Sequence, residues 1–390
     1  MTTATNFAHA TPAFRTFCGE RALASLPREL DRLRCRRAVI VTGPWLADYP
    51  QVLKALDSAI GDRSAGTFDA VEEHSPVPSV EAAARFMSEA GADAVIAVGG
   101  GSCIVTARAA SILLAEGRPV GELCTHRDEA GTLVSPKLLA PKMPNWVVPT
   151  TPITAYAKAG SAVRDPATGQ RLALFDPKTR AQGIFVDPGV AQTTPAGLVS
   201  SAALNAFSMA VEGLQANVGD PLADALLIHA LRELSIWLPR AQAEPGDPEP
   251  RIRLMLAALL CGQGSDYVGG GLAQALSHAA GPRSSVANGV VETMLLPHTM
   301  RFAAAEFPGS LTRVAEALGC PPTGVTDEHA VGAVQGFTSQ LGVPLRLRDA
   351  GVSNESLAEI ADHAMDDWSI TRVPRRPSCD DLAALLAEAW

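Results

Sequence analysis

Hydrophobic positions fall in two textures along the chain. In the first half, short β-branched runs alternate with longer amphipathic stretches, which predicts a parallel sheet wrapped by helices. The runs 38–42, 94–98, 146–148 and 184–186 read as buried strands, each followed within a few residues by Gly or Pro. Between them, 80–90 reads as a helix opened by Ser79, whose hydroxyl can accept from a free N–H of the first turn. The pieces 161–164 and 171–175 flank the turn sequence DPATG and read as a hairpin. After Asp187-Pro188, Ala and Leu replace Val and Ile, and the remainder reads as almost entirely helical. Its first helix is expected at Thr194-Pro195, an N-cap followed by Pro. Others are expected over 200–215, 221–237, 250–261, 272–280, 309–318 and 379–390. No flexible linker marks the change of texture. The expected division is a Rossmann-like parallel-sheet domain over 1–190 and an all-helical domain over 191–390, sharing a cleft.

Composition narrows the class. With 390 residues, 47% apolar and 19% charged, the chain is long enough for two domains and is neither disordered nor fibrous. Its 32 basic and 41 acidic residues give a net charge of -9 without a basic cluster, which argues against nucleic acid as a partner. The longest apolar stretch, 94–115, is broken by glycines and Arg108, so no membrane span is expected. The first seventeen residues lack a basic start and a continuous apolar core, so no export signal is expected. Seven cysteines without a C-x-x-C pair fit a reducing cytoplasm.

Two strand ends offer chemistry. Gly99-Gly100-Gly101-Ser102 follows the strand over 93–98 and opens a helix, so free N–H groups and the helix dipole could receive a phosphate. The same triplet also serves as a plain strand-to-helix turn. Thr150 and Thr151 end another expected strand, on the side of an open α/β sheet where ligands sit. Cys103, with no His placed beside it by sequence, reads as packing. Asp266 and Tyr267 offer an acid and a phenol, although helix capping accounts for the Asp as well.

The segments AVIAVGGGSCIVTARAAS, VVPTT, FDPKTRAQGIFVDP, SAALNAFSMAVEGL and GLAQALSHAAGP…ANGVVETMLLPH occur in one order with characteristic gaps. Together they resemble the iron-dependent alcohol dehydrogenase superfamily, and within it the maleylacetate reductase branch. The resemblance spans nearly the whole chain. It implies an α/β plus all-α fold of dehydroquinate synthase-like architecture, an active site between the domains, NADH or NADPH as cofactor, and a homodimer. The superfamily's metal is held by an Asp, a His four residues later, a His on a later helix and a His fourteen beyond. Those positions here are Asn205, Met209, Gln274 and Asn288. Three carboxamides and a thioether bring neither anionic charge nor imidazole, so no metal is expected. Asn205 agrees with the reductase branch, which keeps its histidines where this chain does not.

His278 stands where the family carries a His near nicotinamide and substrate. It is the first candidate for proton transfer, the alternative being a buried His satisfied by backbone groups. Tyr156 replaces the Glu of a Gly-Ser-Glu triplet that lies against the cofactor. Arg171 keeps the charge of a family Lys near the nicotinamide ribose. Gly43 replaces an Asp that selects NAD, which opens the way to NADP. Arg283, with Asn288 and Gln274, could grip a carboxylate, and Arg376 lies in a tail that faces the substrate cleft in the reductase branch. His298 matches a packing position.

The expected function is therefore metal-independent reduction of a small, anionic carbonyl or enol acid by NAD(P)H in the cytoplasm. Asn205, Gln274, Asn288 and His278 would stabilise the developing oxyanion. The competing expectation is a non-redox enzyme of a specialised pathway on the same scaffold, with His278 or Tyr156 as acid–base group; a third is an inactive binding subunit.

Overall fold

The computed structural model describes residues 7–129, 131–216, 219–321 and 324–390. They form two compact units. One comprises Pro12–Thr151 and Ala155–Thr194; the other comprises 7–11, Pro152–Thr154 and Pro195–Trp390.

In the first unit, six strands make a wholly parallel sheet: β1 (Arg15–Cys18), β2 (Ala38–Val41), β3 (Ser64–Phe68), β4 (Ala94–Gly99), β5 (Asn145–Pro149) and β6 (Ala181–Val186). Their order is β1-β6-β5-β4-β2-β3. The central strands are buried on both faces, which is why they read as unbroken apolar runs. Ile40, Ile96 and Trp146 align in register. On their face, Val98, Val148 and Phe185 join Leu26 and Leu30 of α1 (Leu26–Arg32) and Leu56 and Ile60 of α2 (Pro50–Ile60) in one core. The opposite face lies under α4 (Gly101–Glu116), on which α3 (Val77–Glu89) packs. Edge strands β1 and β3 are largely exposed or half-buried, so they lack the apolar signature that marks the others.

Ser79 does not cap α3. The helix begins at Val77, and Ser79 Oγ accepts from the Glu72 N–H (3.2 Å) and donates to the Ala70 carbonyl (3.3 Å), fastening the incoming loop. The hairpin forms as expected, Gly160–Arg164 against Arg171–Phe175, with the Asp165 carboxylate accepting from the Ala167 N–H (2.9 Å) inside the turn. From β2 the chain steps outward to β3, then returns to β4 on the other side of β2. The crevice at the carboxyl ends of β2 and β4 is thus the point where the winding reverses, the usual ligand position of a doubly wound sheet.

The second unit is helical: α5 (Ala196–Gln215), α6 (Pro221–Ala243), α7 (Pro248–Val268), α8 (Leu272–Ala280), α9 (Asn288–Glu306), α10 (Asp327–Gln340), α11 (Leu357–Met365) and α12 (Cys379–Ala389). Thr194 is not the cap of its first helix; α5 follows Pro195, which offers no side-chain bond. Helix α6 continues through Pro239 and α9 through Pro297, so neither proline ends its helix. The expected helix over 309–318 shortens to Thr312–Ala317. Asp220 caps α6, accepting from the Leu222 and Ala223 N–H groups, and also meets His9 Nδ1 at 2.7 Å. The His9 ring stacks on Tyr267 at 4.0 Å, which assigns that phenol to anchoring residues 7–11. Among the described residues no helix is long and apolar enough to cross a membrane.

Candidate active site

The Gly99–Ser102 turn lies in the winding-reversal crevice of the sheet unit. Gly99 pairs with Pro149, and the Thr150 N–H donates to the Gly99 carbonyl (3.1 Å), so the two motifs predicted from sequence are neighbours at adjacent strand ends. A Cβ on Gly100 would stand 3.2 Å from Thr151 Oγ1. That hydroxyl is buried and finds no hydrogen-bond partner among the described residues. Ser102 Oγ accepts from the His74 N–H (3.0 Å) and keeps its own proton to donate. These features fit a dinucleotide: a bare backbone cradle, a helix N-terminus and hydroxyls at its rim. At the mouth of the crevice stands Trp45. Its indole would lie 2.9 Å from a Cβ on Gly43 and 3.5 Å from one on Gly99, so it occupies the space a side chain at position 43 would need.

Cys103 is packing, as expected. Burial pushes its thiol up to about 11, although hydrogen bonds from the Gly43 backbone and Trp45 act in the other direction. Arg108 is buried and donates to the Gly160 (2.5 Å) and Ala155 (2.6 Å) carbonyls, an internal tie. Arg171 is exposed on the hairpin opposite Arg164. Tyr156 is enclosed, 1% exposed, in the turn Thr154–Ala157.

In the helical unit, the four positions Asn205, Met209, Gln274 and Asn288 each have a partner of their own. Asn205 Nδ2 donates to Glu292 Oε2 (2.5 Å), Met209 Sδ accepts from Ser265 Oγ (3.3 Å), Gln274 Oε1 accepts from Ser369 Oγ (3.0 Å) and Asn288 Nδ2 donates to Ser277 Oγ (3.3 Å). Among the described residues, no group of three or more His, Cys, Asp or Glu side chains is placed to hold a metal ion. Helix α9 reaches α5 closely because Gly289 faces it: a Cβ there would stand 2.1 Å from the Ser201 carbonyl oxygen.

His278, on α8, meets Asp367 through Nδ1 and Oδ2 at 2.6 Å. Burial works against the Asp367 charge; His278 and the hydrogen bonds from His278 and Ser369 outweigh it and hold the carboxyl below its ordinary value. Glu212, buried on α5, accepts from the Ala273 (2.5 Å) and Gln274 (3.2 Å) N–H groups at the start of α8. Burial raises its carboxyl to about 7, against those two bonds and with help from the Asp367 charge. Glu212 also lines a cavity of about 20 Å³, room for one water, beside Gln215, Thr299 and Arg375.

Sequence reasoning missed Glu212, Glu292 and Asp367. The first could have been found: 205, 209 and 212 share a helix face, and 212 is a carboxylate in an otherwise apolar run. Arg283 does not join Gln274 and Asn288. Its guanidinium donates to Glu359 (2.6 Å) and to the Ala279 carbonyl (2.7 Å). Arg376 is exposed. Arg375 lies over the Phe302 ring at 4.0 Å and bonds Asp381 (3.1 Å).

Comparison with known proteins places the chain. The family model described as iron-containing alcohol dehydrogenase matches residues 12–188, and that described as Fe-containing alcohol dehydrogenase family, C-terminal, matches residues 199–390. Lactaldehyde reductase of Escherichia coli (strain K12) is 29% identical over 379 residues, covering 95% of this chain and 97% of its own. Maleylacetate reductase 1 of Cupriavidus pinatubonensis is 27% identical over 381 residues, covering 96% and 95%. Among solved structures, maleylacetate reductase from Agrobacterium tumefaciens superposes with a TM-score of 0.80 at 23% identity, covering 99% and 98%. The protein is an NAD(P)-dependent oxidoreductase. It belongs to the iron-containing alcohol dehydrogenase family, and its relatives include the maleylacetate reductases.

Proposed function

We propose that this protein is a metal-independent reductase that uses NADH or NADPH to reduce a small, anionic carbonyl or enol acid. One observation carries the reading: Gly99–Ser102, Thr150 and Thr151 offer a bare backbone turn and hydroxyls suited to a nucleotide, while Asn205, Met209, Gln274 and Asn288 offer three amides and a thioether, each engaged with a neighbour. That donor set does not fit iron or zinc. Bound nicotinamide supplies the hydride that reaches the carbonyl carbon. The chain's own groups bind, orient and protonate. Backbone N–H groups at the start of α4 and the Ser102 and Thr151 hydroxyls hold the pyrophosphate, and Arg171 adds positive charge at the ribose. Gln274 Oε1 is held by Ser369, which leaves its Nε2 as a donor toward the developing oxyanion, together with the Asn205 and Asn288 amides. His278 delivers the proton to that oxygen. Met209 forms part of the apolar floor, Tyr156 is a wall of the cofactor pocket, and Arg376 anchors the substrate carboxylate because Arg283 is committed to Glu359. Gly43 leaves NADP as acceptable as NAD. The working form is a homodimer.

The test is a fluorescence or calorimetric titration of chelator-treated protein with NADH and NADPH separately. Micromolar binding of either without added metal is the expected result, followed by turnover of keto acids in the same metal-free buffer. Absence of binding by both would defeat the proposal.

A further inference from the structure

The 3-10 turn Trp368–Arg372 grips α8 at two positions one helical turn apart. Ser369 Oγ donates to Gln274 Oε1 (3.0 Å), and Asp367, the cap of that turn, meets His278 (2.6 Å). Both members of the latter pair are mostly enclosed, with side chains 13% and 11% exposed. An ionised carboxylate only accepts, so the bond requires the proton on His278 Nδ1 and directs Nε2 away from Asp367. The other carboxylate oxygen accepts from the Ser369 N–H (2.8 Å), so the carboxylate cannot swing without breaking the cap of its own turn. From α5, the carboxyl of Glu212 feels the Asp367 charge. Trp368, partly exposed, follows directly in sequence.

We propose that Asp367 is the positioning residue for His278: it fixes the imidazole in the tautomer and orientation that present Nε2 to the substrate oxygen and stabilises the charged ring. The inference rests on the reductase reading above for the identity of that oxygen, and on the geometry alone for the dyad. When the carbonyl carbon accepts hydride, the oxygen takes the Nε2 proton. His278 is left neutral with its Nδ1 proton still bonded to Asp367, and Nε2 is reprotonated from solvent. Asp367 itself neither gains nor loses a proton.

Three variants separate this role from a structural one. Asp367→Asn keeps a capping oxygen for the Ser369 N–H but removes the charge. It is expected to fold, bind NAD(P)H as the wild type does, and lose about 10²-fold or more in kcat with little change in KM. Asp367→Glu should recover part of that loss. His278→Ala should lose at least as much, and the double variant His278→Ala/Asp367→Asn no more than His278→Ala alone. Independently of turnover, ¹⁵N NMR of imidazole-labelled protein should show the His278 Nδ1 proton retained in both the charged and the neutral ring of the wild type, and a mixture of neutral tautomers in Asp367→Asn. An unchanged tautomer and unchanged kcat in a folded Asp367→Asn would overturn the proposal. Should the wild type reduce nothing, the reductase reading falls, and the NMR comparison still decides whether Asp367 sets the imidazole.

Discussion

Gly99 shows how a single residue constrains a strand end. Its φ of 139° lies where side chains are strained, and a Cβ there would stand 2.6 Å from Cys103 Sγ. Gly99→Ala should therefore cost about 1–3 kcal/mol in a denaturant titration and weaken NAD(P)H binding more than it weakens the fold. Equal binding by a Gly99→Ala protein would remove the cradle from the site. Such a backbone requirement is legible in sequence because the glycine triplet directly follows an apolar strand. The pairing of His278 with Asp367 is not, since 89 residues separate them and no local pattern links a helix face to a loop acid. Arg283 illustrates the reverse error: its spacing from His278 suggested a site residue, but a carboxylate 76 residues away claims it.

The start of α8 is where an element-level interaction can be measured. Glu212 places its carboxylate against two of the free N–H groups there, as an external cap, yet burial lifts its pKa from 4.5 to about 7. The folded chain therefore holds this proton where the unfolded chain has released it. The stabilisation is full below about pH 4.5 and is lost as pH rises toward 7, on the order of 3 kcal/mol at most. Glu212→Gln keeps an acceptor for the Ala273 N–H and removes the titration. Its urea midpoint should fall less than that of the wild type between pH 5 and 7.5, and parallel curves would refute the assignment. The elements themselves were legible in proportion to their burial. Strands β2, β4, β5 and β6 declare themselves as apolar runs, whereas β1 (RTFC) and β3 (SAGTF) sit at the sheet edges and carry no such run. Helices α6 and α9 continue past prolines at which local rules stop them, because packing along their lengths outweighs one lost backbone bond.

For the whole molecule, the proposed nucleotide cradle and the proposed absence of a metal make opposite predictions about what stabilises it. A ligand that binds only the folded state adds RT ln(1 + [L]/Kd), about 2.7 kcal/mol at a hundredfold excess over Kd. NADH or NADPH at that excess should raise the melting temperature by a few degrees. Metal binding is also folding free energy where carboxylate and imidazole ligands exist. Here the four positions are Asn205, Met209, Gln274 and Asn288, so Fe²⁺ or Zn²⁺ should leave the melting curve of chelator-treated protein unmoved. Positions 205 and 209 share one face of α5, and 274 and 288 lie in the first turns of α8 and α9. The quadruple variant Asn205→Asp, Met209→His, Gln274→His, Asn288→His should accordingly gain a metal-dependent rise in melting temperature that the wild type lacks. A rise with Zn²⁺ in the wild type, reversed by chelator, would show that the folded chain binds the metal and would count against metal independence.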